Sequence, residues 1–252
     1  MILSLDTHAH IKPDIAPSEL LTLRSCIVAV TRTLNEFEAT LSRSDPSVVW
    51  GAGCHPGLVR EVNAFSASRM RDAIASTPVV GEVGLDGSAR TPIEAQLTAL
   101  RGVLALTTDA PRVLSIHSFR ATDLVLRELR EFRPQAAILH WWLGTQEQTE
   151  AALEAGAYFS VNASQASKWE SLRLIPLDRV LLETDHPFGD RSDPPPRRPG
   201  NVRKTECAAA GVLGVSPDAL RVQSWRNLRS MAESLSLVEM FPREFQVQFL
   251  AT

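Results

Sequence analysis

The sequence predicts an α/β protein, a TIM (β/α)8 barrel built as a single domain over residues 1–252. Three observations predict it. The 252 residues of the chain suit one such barrel, which takes roughly 250 residues. Short runs of apolar, β-branched residues recur along the sequence, nearly continuous in apolar character rather than alternating. Parallel strands buried on both faces have that character. Segments with helical spacing separate the runs, which is the pattern of a parallel sheet.

In order, the runs predict strands over 2–6, 26–30, 48–53, 79–83, 113–117, 136–140, 158–161 and 180–183. The clearest helix lies over 93–104, where Leu97, Leu100 and Leu104 share one face. A second helix covers 123–129. A third runs over 146–155 and stops at Gly156, a residue suited to helix C-termini. An open doubly wound sheet is the structural alternative. It would usually carry a glycine-rich phosphate loop after its first strand, and Thr7-His8-Ala9-His10 is not one. Residues 190–200 form a polar, proline-rich stretch that can be neither helix nor central strand. It follows the eighth strand, and long loops there are often functional. A helix is expected over 217–235. The apolar segment 241–250 is expected to pack on the barrel or on a partner.

Composition is that of a globular protein, 44 % hydrophobic and 22 % charged, with a net charge of −3. Global charge therefore does not announce a nucleic-acid binder. The cations are skewed, since only Lys12, Lys168 and Lys204 are lysines. Arginine grips phosphate in a fork that lysine cannot make, although a GC-rich genome gives the same bias. Cys26, Cys54 and Cys207 are odd in number and lack a CxxC spacing, which argues against a disulfide framework and a thiolate zinc site. No apolar run reaches 18 residues, so no membrane span is expected, and the cytoplasm is the expected compartment.

The histidines carry the functional signal. His8 and His10 follow the first strand, His55 follows the third, and His117 and His140 end the fifth and sixth. His186 follows the eighth, and none lies in a predicted helix. Glu82 sits at the end of the fourth strand, and Glu183 and Asp185 at the end of the eighth. All would converge on the C-terminal mouth of a barrel, where barrel enzymes keep their chemistry. A carboxylate in an apolar run, such as Glu82, is costly unless paired or metal-bound. Nitrogen and oxygen donors without thiolate suit two divalent ions, zinc, manganese or magnesium. A pair of such ions would clamp the attacking and leaving oxygens of a phosphoryl transfer, with Glu82 as the bridge. No lysine stands at a strand end to replace that bridge.

The chain resembles the TatD family of metal-dependent deoxyribonucleases, within the amidohydrolase superfamily. The resemblance rests on Asp6-Thr7-His8-Ala9-His10, Gly53-Cys54-His55-Pro56, Gly81-Glu82-Val83-Gly84-Leu85-Asp86, Ile116-His117-Ser118, Leu139-His140 and Leu182-Glu183-Thr184-Asp185. Gln96 and Asn227 also match. The resemblance implies phosphodiester hydrolysis, often as a 3′→5′ exonuclease acting on DNA, single-stranded or at duplex ends. It implies His8, His10 and Asp185 on one metal, His117 and His140 on the other, and Glu82 between them. Glu183 would orient a ligand or a water, and Asp185 would accept a proton. His55 and Arg120 would meet substrate phosphate.

The substrate-contacting residues depart from the family pattern. Gly57 replaces a second histidine, Arg120 comes one residue late after His117, and His140-Trp141-Trp142-Leu143-Gly144 stands where the family carries His-x-Phe-Ser/Thr-Gly. The Trp pair reads as a base-stacking platform or, for at least one of them, as core. Arg191, Arg197 and Arg198 flank the proline stretch as phosphate contacts or as a solvated loop. The departures resemble a divergent branch, the TatD-like subunits of anti-phage defence systems such as QatD, which would add other subunits of a defence complex as partners. Two rival readings remain: an amidohydrolase cutting C–N or ester bonds, and a catalytically altered scaffold that binds nucleic acid or protein.

Overall fold

The computed structural model describes residues 2–191 and 197–252, so part of the predicted 190–200 loop, 192–196, lies outside the described residues. Among the described residues the strands are β1 (Ser4–Ala9), β2 (Ser25–Val30), β3 (Val48–Gly51), β4 (Val79–Gly84), β5 (Val113–His117), β6 (Ala137–Leu139), β7 (Tyr158–Val161) and β8 (Val180–Leu182). The helices are α1 (Pro17–Thr22), α2 (Leu34–Glu38), α3 (Val59–Asn63), α4 (Ala67–Ala75), α5 (Ile93–Asp109), α6 (Thr122–Phe132), α7 (Gln146–Glu154), α8 (Arg203–Leu213), α9 (Pro217–Ser234) and α10 (Arg243–Ala251). Short 3-10 turns between Ala163 and Arg179 stand where a helix would join β7 to β8.

Every strand pairing is parallel. The pairs run β1-β2-β3 and β4-β5-β6-β7-β8. A bridge from Ala52 to Val80 joins the two arcs. At the other seam Asp185 N donates to His8 O at 2.8 Å and Thr7 Oγ1 to Leu182 O at 3.0 Å. The sheet thus closes on itself as a TIM barrel.

Strand ends differ from the sequence expectation for physical reasons. β1 starts two residues later and runs to Ala9, because Leu3 is taken by the C-terminal helices. Leu3 N donates to Gln248 Oε1 at 3.0 Å, and Leu3 O accepts from Trp225 Nε1 at 2.8 Å. β3 ends at Gly51, and the next residues turn toward β4, with Cys54 N on Glu82 O at 2.9 Å.

Both faces of the strands are buried, which hides their alternation in the sequence. Leu114, Leu139 and Leu182 join the cluster under the outer helices. Their neighbours Val113, Ile138 and Leu181 join a second cluster with Trp225, Leu228, Phe241, Phe245 and Phe249. That aromatic group, from α9, α10 and the turn between them, closes the floor of the barrel. The apolar 241–250 segment therefore packs on the barrel. Two residues further along each strand, the inward positions turn polar: Ser115, His140, Ser160 and Glu183 are all buried.

Asp6 ties β1 to β8 at the rim. Its carboxylate accepts from Thr184 Oγ1 at 2.6 Å, Gly200 N at 2.8 Å, Thr184 N at 2.9 Å and His8 N at 3.3 Å. Burial pushes the carboxyl up to about 7 even though these bonds pull it down. An amide at this position turns an NH2 toward groups that are themselves donors. Asp6→Asn is therefore expected to cost about 1–3 kcal/mol of stability, read as a lower urea midpoint at unchanged slope.

Candidate metal centre

Two strand irregularities aim the site. Strict alternation from Leu5 and from Val79 would turn His8 and Glu82 away from the barrel axis. Between Asp6 and Ala9, three steps of β1 span two of β2, and between Val80 and Val83, three steps of β4 span two of β5. Each bulge shifts the side-chain phase by one residue, and both side chains then face the mouth. Close packing accompanies the second bulge: a Cβ on Gly81 would lie 2.7 Å from Ser115 Cβ.

Glu82, 1 % exposed, is the centre of the cluster. Its Oε1 accepts from His117 Nδ1 at 2.6 Å and His140 Nε2 at 2.9 Å. Its Oε2 lies 3.2 Å from His10 Nε2, 3.2 Å from His55 Nε2 and 3.9 Å from His8 Nε2. Burial alone would raise the Glu82 carboxyl, but the surrounding imidazoles, His55 and His140 foremost, hold it well below the usual carboxylate range. Asp185 Oδ1 completes one side, 3.4 Å from His10 Nε2 and 3.7 Å from His8 Nε2. The carboxylate therefore divides the site, with His117 and His140 on one oxygen and His8, His10 and Asp185 around the other.

Neighbours fix the ring orientations. His8 Nδ1 is 2.7 Å from Ser115 Oγ, which turns Nε2 to the centre. His140 Nδ1 faces Glu183 Oε1 at 3.6 Å, and Ser160 Oγ donates to the other Glu183 oxygen. The His8 and His140 rings stack at 3.9 Å. Burial disfavours charge on His10, yet the Asp185 and Glu82 carboxylates beside it raise it to about 9. Burial lifts the Asp185 carboxyl to about 6 against His10.

His55 stands apart chemically. Gly57 N donates to His55 Nδ1 at 2.9 Å, so that nitrogen is an acceptor and the proton sits on Nε2. A protonated Nε2 cannot ligate a cation, although its distances from Glu82 and His117 resemble a ligand set. Its Nε2 lies 3.2 Å from Glu82 Oε2 instead. Burial, with the charge of Arg32 and other histidines opposing Glu82, lowers His55 to about 4.

All six residues expected as ligands meet in one place, as do His55 and Glu183. Arg120 does not enter the cluster. It is exposed on the rim at positive φ, with its guanidinium 5.3 Å from the Phe119 ring centroid. The tryptophan pair divides. Trp142 is buried and donates to Thr149 Oγ1 at 3.0 Å, while Trp141 lines the site cavity with a buried, unpartnered Nε1. Gln96 and Asn227 clamp main chain: Gln96 bonds Asp86 N and O, and Asn227 Nδ2 donates to Leu177 O and Val180 O. Sequence reasoning missed Ser115, Ser160, Asp86 and Arg32. Asp86, whose Oδ2 is 3.6 Å from His117 Nε2, was legible as the last residue of the Glu82 motif. The two serines carried no signal in apolar strands.

Residues 5–232 match the sequence profile described as TatD related DNase. The chain belongs to the TatD-related DNase family. The TatD-family chain is 30 % identical over 225 residues to the 3′-5′ ssDNA/RNA exonuclease TatD of Erwinia billingiae, covering 81 % of this chain and 86 % of that one. Its fold resembles the solved structure of YJJV, a TatD homolog from Escherichia coli K12, with TM-score 0.82, 22 % identity, and coverage of 92 % and 98 %. An uncharacterized amidohydrolase from Saccharomyces cerevisiae is similar in fold, with TM-score 0.76 and 14 % identity over 92 % of this chain and all of that one. Family membership makes this TatD-family protein a hydrolase. Among its described residues no helix is long and apolar enough to cross a membrane.

The His55 geometry is testable by imidazole nitrogen NMR on the metal-free protein. At neutral pH His55 is expected as the neutral tautomer with its proton on Nε2. A spectrum with the proton on Nδ1 would return His55 to the ligand set.

Proposed function

We propose that this chain is a divalent-metal-dependent nuclease that removes nucleotides from the 3′ end of single-stranded DNA, with the whole 1–252 span acting as one unit. One observation carries the reading: Glu82 offers a separate carboxylate oxygen to each of two groups of donors. The donors fit divalent cations. His8 Nε2, Glu82 Oε2 and Asp185 Oδ1 are buried without a hydrogen-bond partner although they converge. Such atoms are costly unless something binds them. His8, His10 and Asp185 would hold one ion and His117 and His140 the other, with Glu82 shared. Zinc and manganese suit this imidazole-rich set better than magnesium.

Bound ions of this kind supply Lewis acidity and a water of lowered pKa. The chain's own groups do the rest. Asp185, at the rim of the cluster, would take the proton of the attacking water. His55 Nε2–H donates to a phosphoryl oxygen, where negative charge grows. Glu183, held by Ser160, keeps the His140 ring oriented. The 3′→5′ sense and the single-stranded substrate are supported by what the Erwinia relative is named for.

Glu82→Gln keeps the shape but removes the shared charge. On an end-labelled single-stranded oligonucleotide with manganese present, kcat is expected to fall by about a thousand-fold. Chelator is expected to abolish wild-type cleavage and lower the melting temperature. Full activity in chelator, or in Glu82→Gln, would sink the proposal.

Metal uptake has a predicted pH dependence. A ligating imidazole must be neutral, and the metal-free site holds His10 protonated up to about 9 and His140 well above its usual value. Binding at neutral pH must therefore expel protons, and affinity must rise as pH increases through neutrality toward the His10 value of about 9. Calorimetry in buffers of different ionisation enthalpy reads the proton release directly.

A further inference from the structure

Arg32 follows β2 and lines the site cavity beside His10, His55 and Glu82. Its main chain is fixed at both ends. Arg32 N donates to Glu36 Oε2 at 2.7 Å, and Arg32 O accepts from His55 N at 2.9 Å. Its side chain has no such partner. Nε is buried without a hydrogen bond, and no carboxylate among the described residues forms a salt bridge with the half-buried guanidinium. It faces the Phe188 ring instead, with Cζ 5.6 Å from the centroid, while His10 meets the same ring edge-on at 5.3 Å.

Arg32, His10 and Phe188 also line a second cavity of about 670 Å³, next to the site cavity of about 660 Å³. Lys12, His186 and Arg198 contribute to its wall, against Asp14, Glu19 and the Glu36 that already holds Arg32 N. Arg32 and Phe188 thus form a divide between two rooms. A half-buried guanidinium without an anion is an incomplete arrangement, and its fork matches a phosphate. Arg120, the arginine nearest the family position, is out on the rim.

We infer that Arg32 grips the internucleotide phosphate next to the scissile one, where a single strand crosses the Arg32–Phe188 divide from the site cavity into the second cavity. The assignment rests on the nuclease reading above. It gives each cavity a nucleotide and gives Phe188 a face for a base or sugar. It also explains why a cation stands beside His55 without neutralising any carboxylate.

The test is a cycle of enzyme and substrate changes. Single-stranded oligonucleotides carry either an ordinary linkage or a neutral methylphosphonate at the position adjoining the scissile phosphodiester. Wild type, Arg32→Ala and Arg32→Lys are compared with manganese present. The neutral linkage is expected to raise the wild-type KM about ten-fold or more. Arg32→Ala is expected to raise KM similarly on the ordinary strand, with little added by the neutral linkage. The effect should fall on KM rather than kcat, since this phosphate does not react. Arg32→Lys should recover part of the loss, and it keeps the cycle readable if the alanine variant unfolds. An equal penalty for the neutral linkage in wild type and in both variants overturns the assignment while leaving the nuclease reading intact. A wild type that cleaves neither strand removes the nuclease reading, and this assignment with it.

Discussion

A carboxylate at the depth of Glu82 cannot stay ionised unless opposite charge or hydrogen-bond donors surround it. The upper half of the barrel is arranged to meet that condition. His117 and His140 come from the ends of β5 and β6, His10 and His55 from the loops after β1 and β3, and each lies within 3.2 Å of a Glu82 oxygen. The lower half supplies rigidity. α9, α10 and the turn between them seal the floor with Trp225, Phe241, Phe245 and Phe249, and the apolar inward residues above them fix the height at which the polar layer begins. Packing below and charge balance above are thus two parts of one column.

The polar layer has a supporting shell in which each member has one task. Ser115 turns His8, Glu183 with Ser160 turns His140, and the Gly57 amide sets the tautomer of His55. The Gly57 contact is notable because a glycine stands where the family carries a histidine. The main-chain N–H there acts on His55 whatever side chain position 57 carries, and the Glu82 cluster is whole without a second histidine. Trp141, Phe119 and Phe188 give this mouth an aromatic lining, and Arg32 and Arg120 give it cations. The polar cluster and the aromatic and cationic lining therefore occupy different depths of the same opening.

Much of this was legible in the sequence, and the reason is local. Strands buried on both faces need unbroken apolar runs, so a His or an acid at the end of such a run stands out. His117, His140, Glu82 and Asp185 were found in that way. Ser115 and Ser160 were not, because a small polar residue inside a strand gives no sign of what lies across the barrel. Arg32 was hidden for a similar reason: in sequence it is one arginine of many, and its lack of a carboxylate partner is a fact about distance.

By itself the sequence determined the barrel, its strand count and which histidines and acids gather around Glu82, since these follow from apolar periodicity and from which residue types sit at strand ends. Tertiary structure decided the aim. The bulges in β1 and β4 bring His8 and Glu82 inward, the Gly57 amide separates His55 from the ligand set, and the fold splits Trp141 from Trp142. Side-chain phase and hydrogen-bond partners depend on pairing with residues far along the chain, and linear order does not contain that pairing.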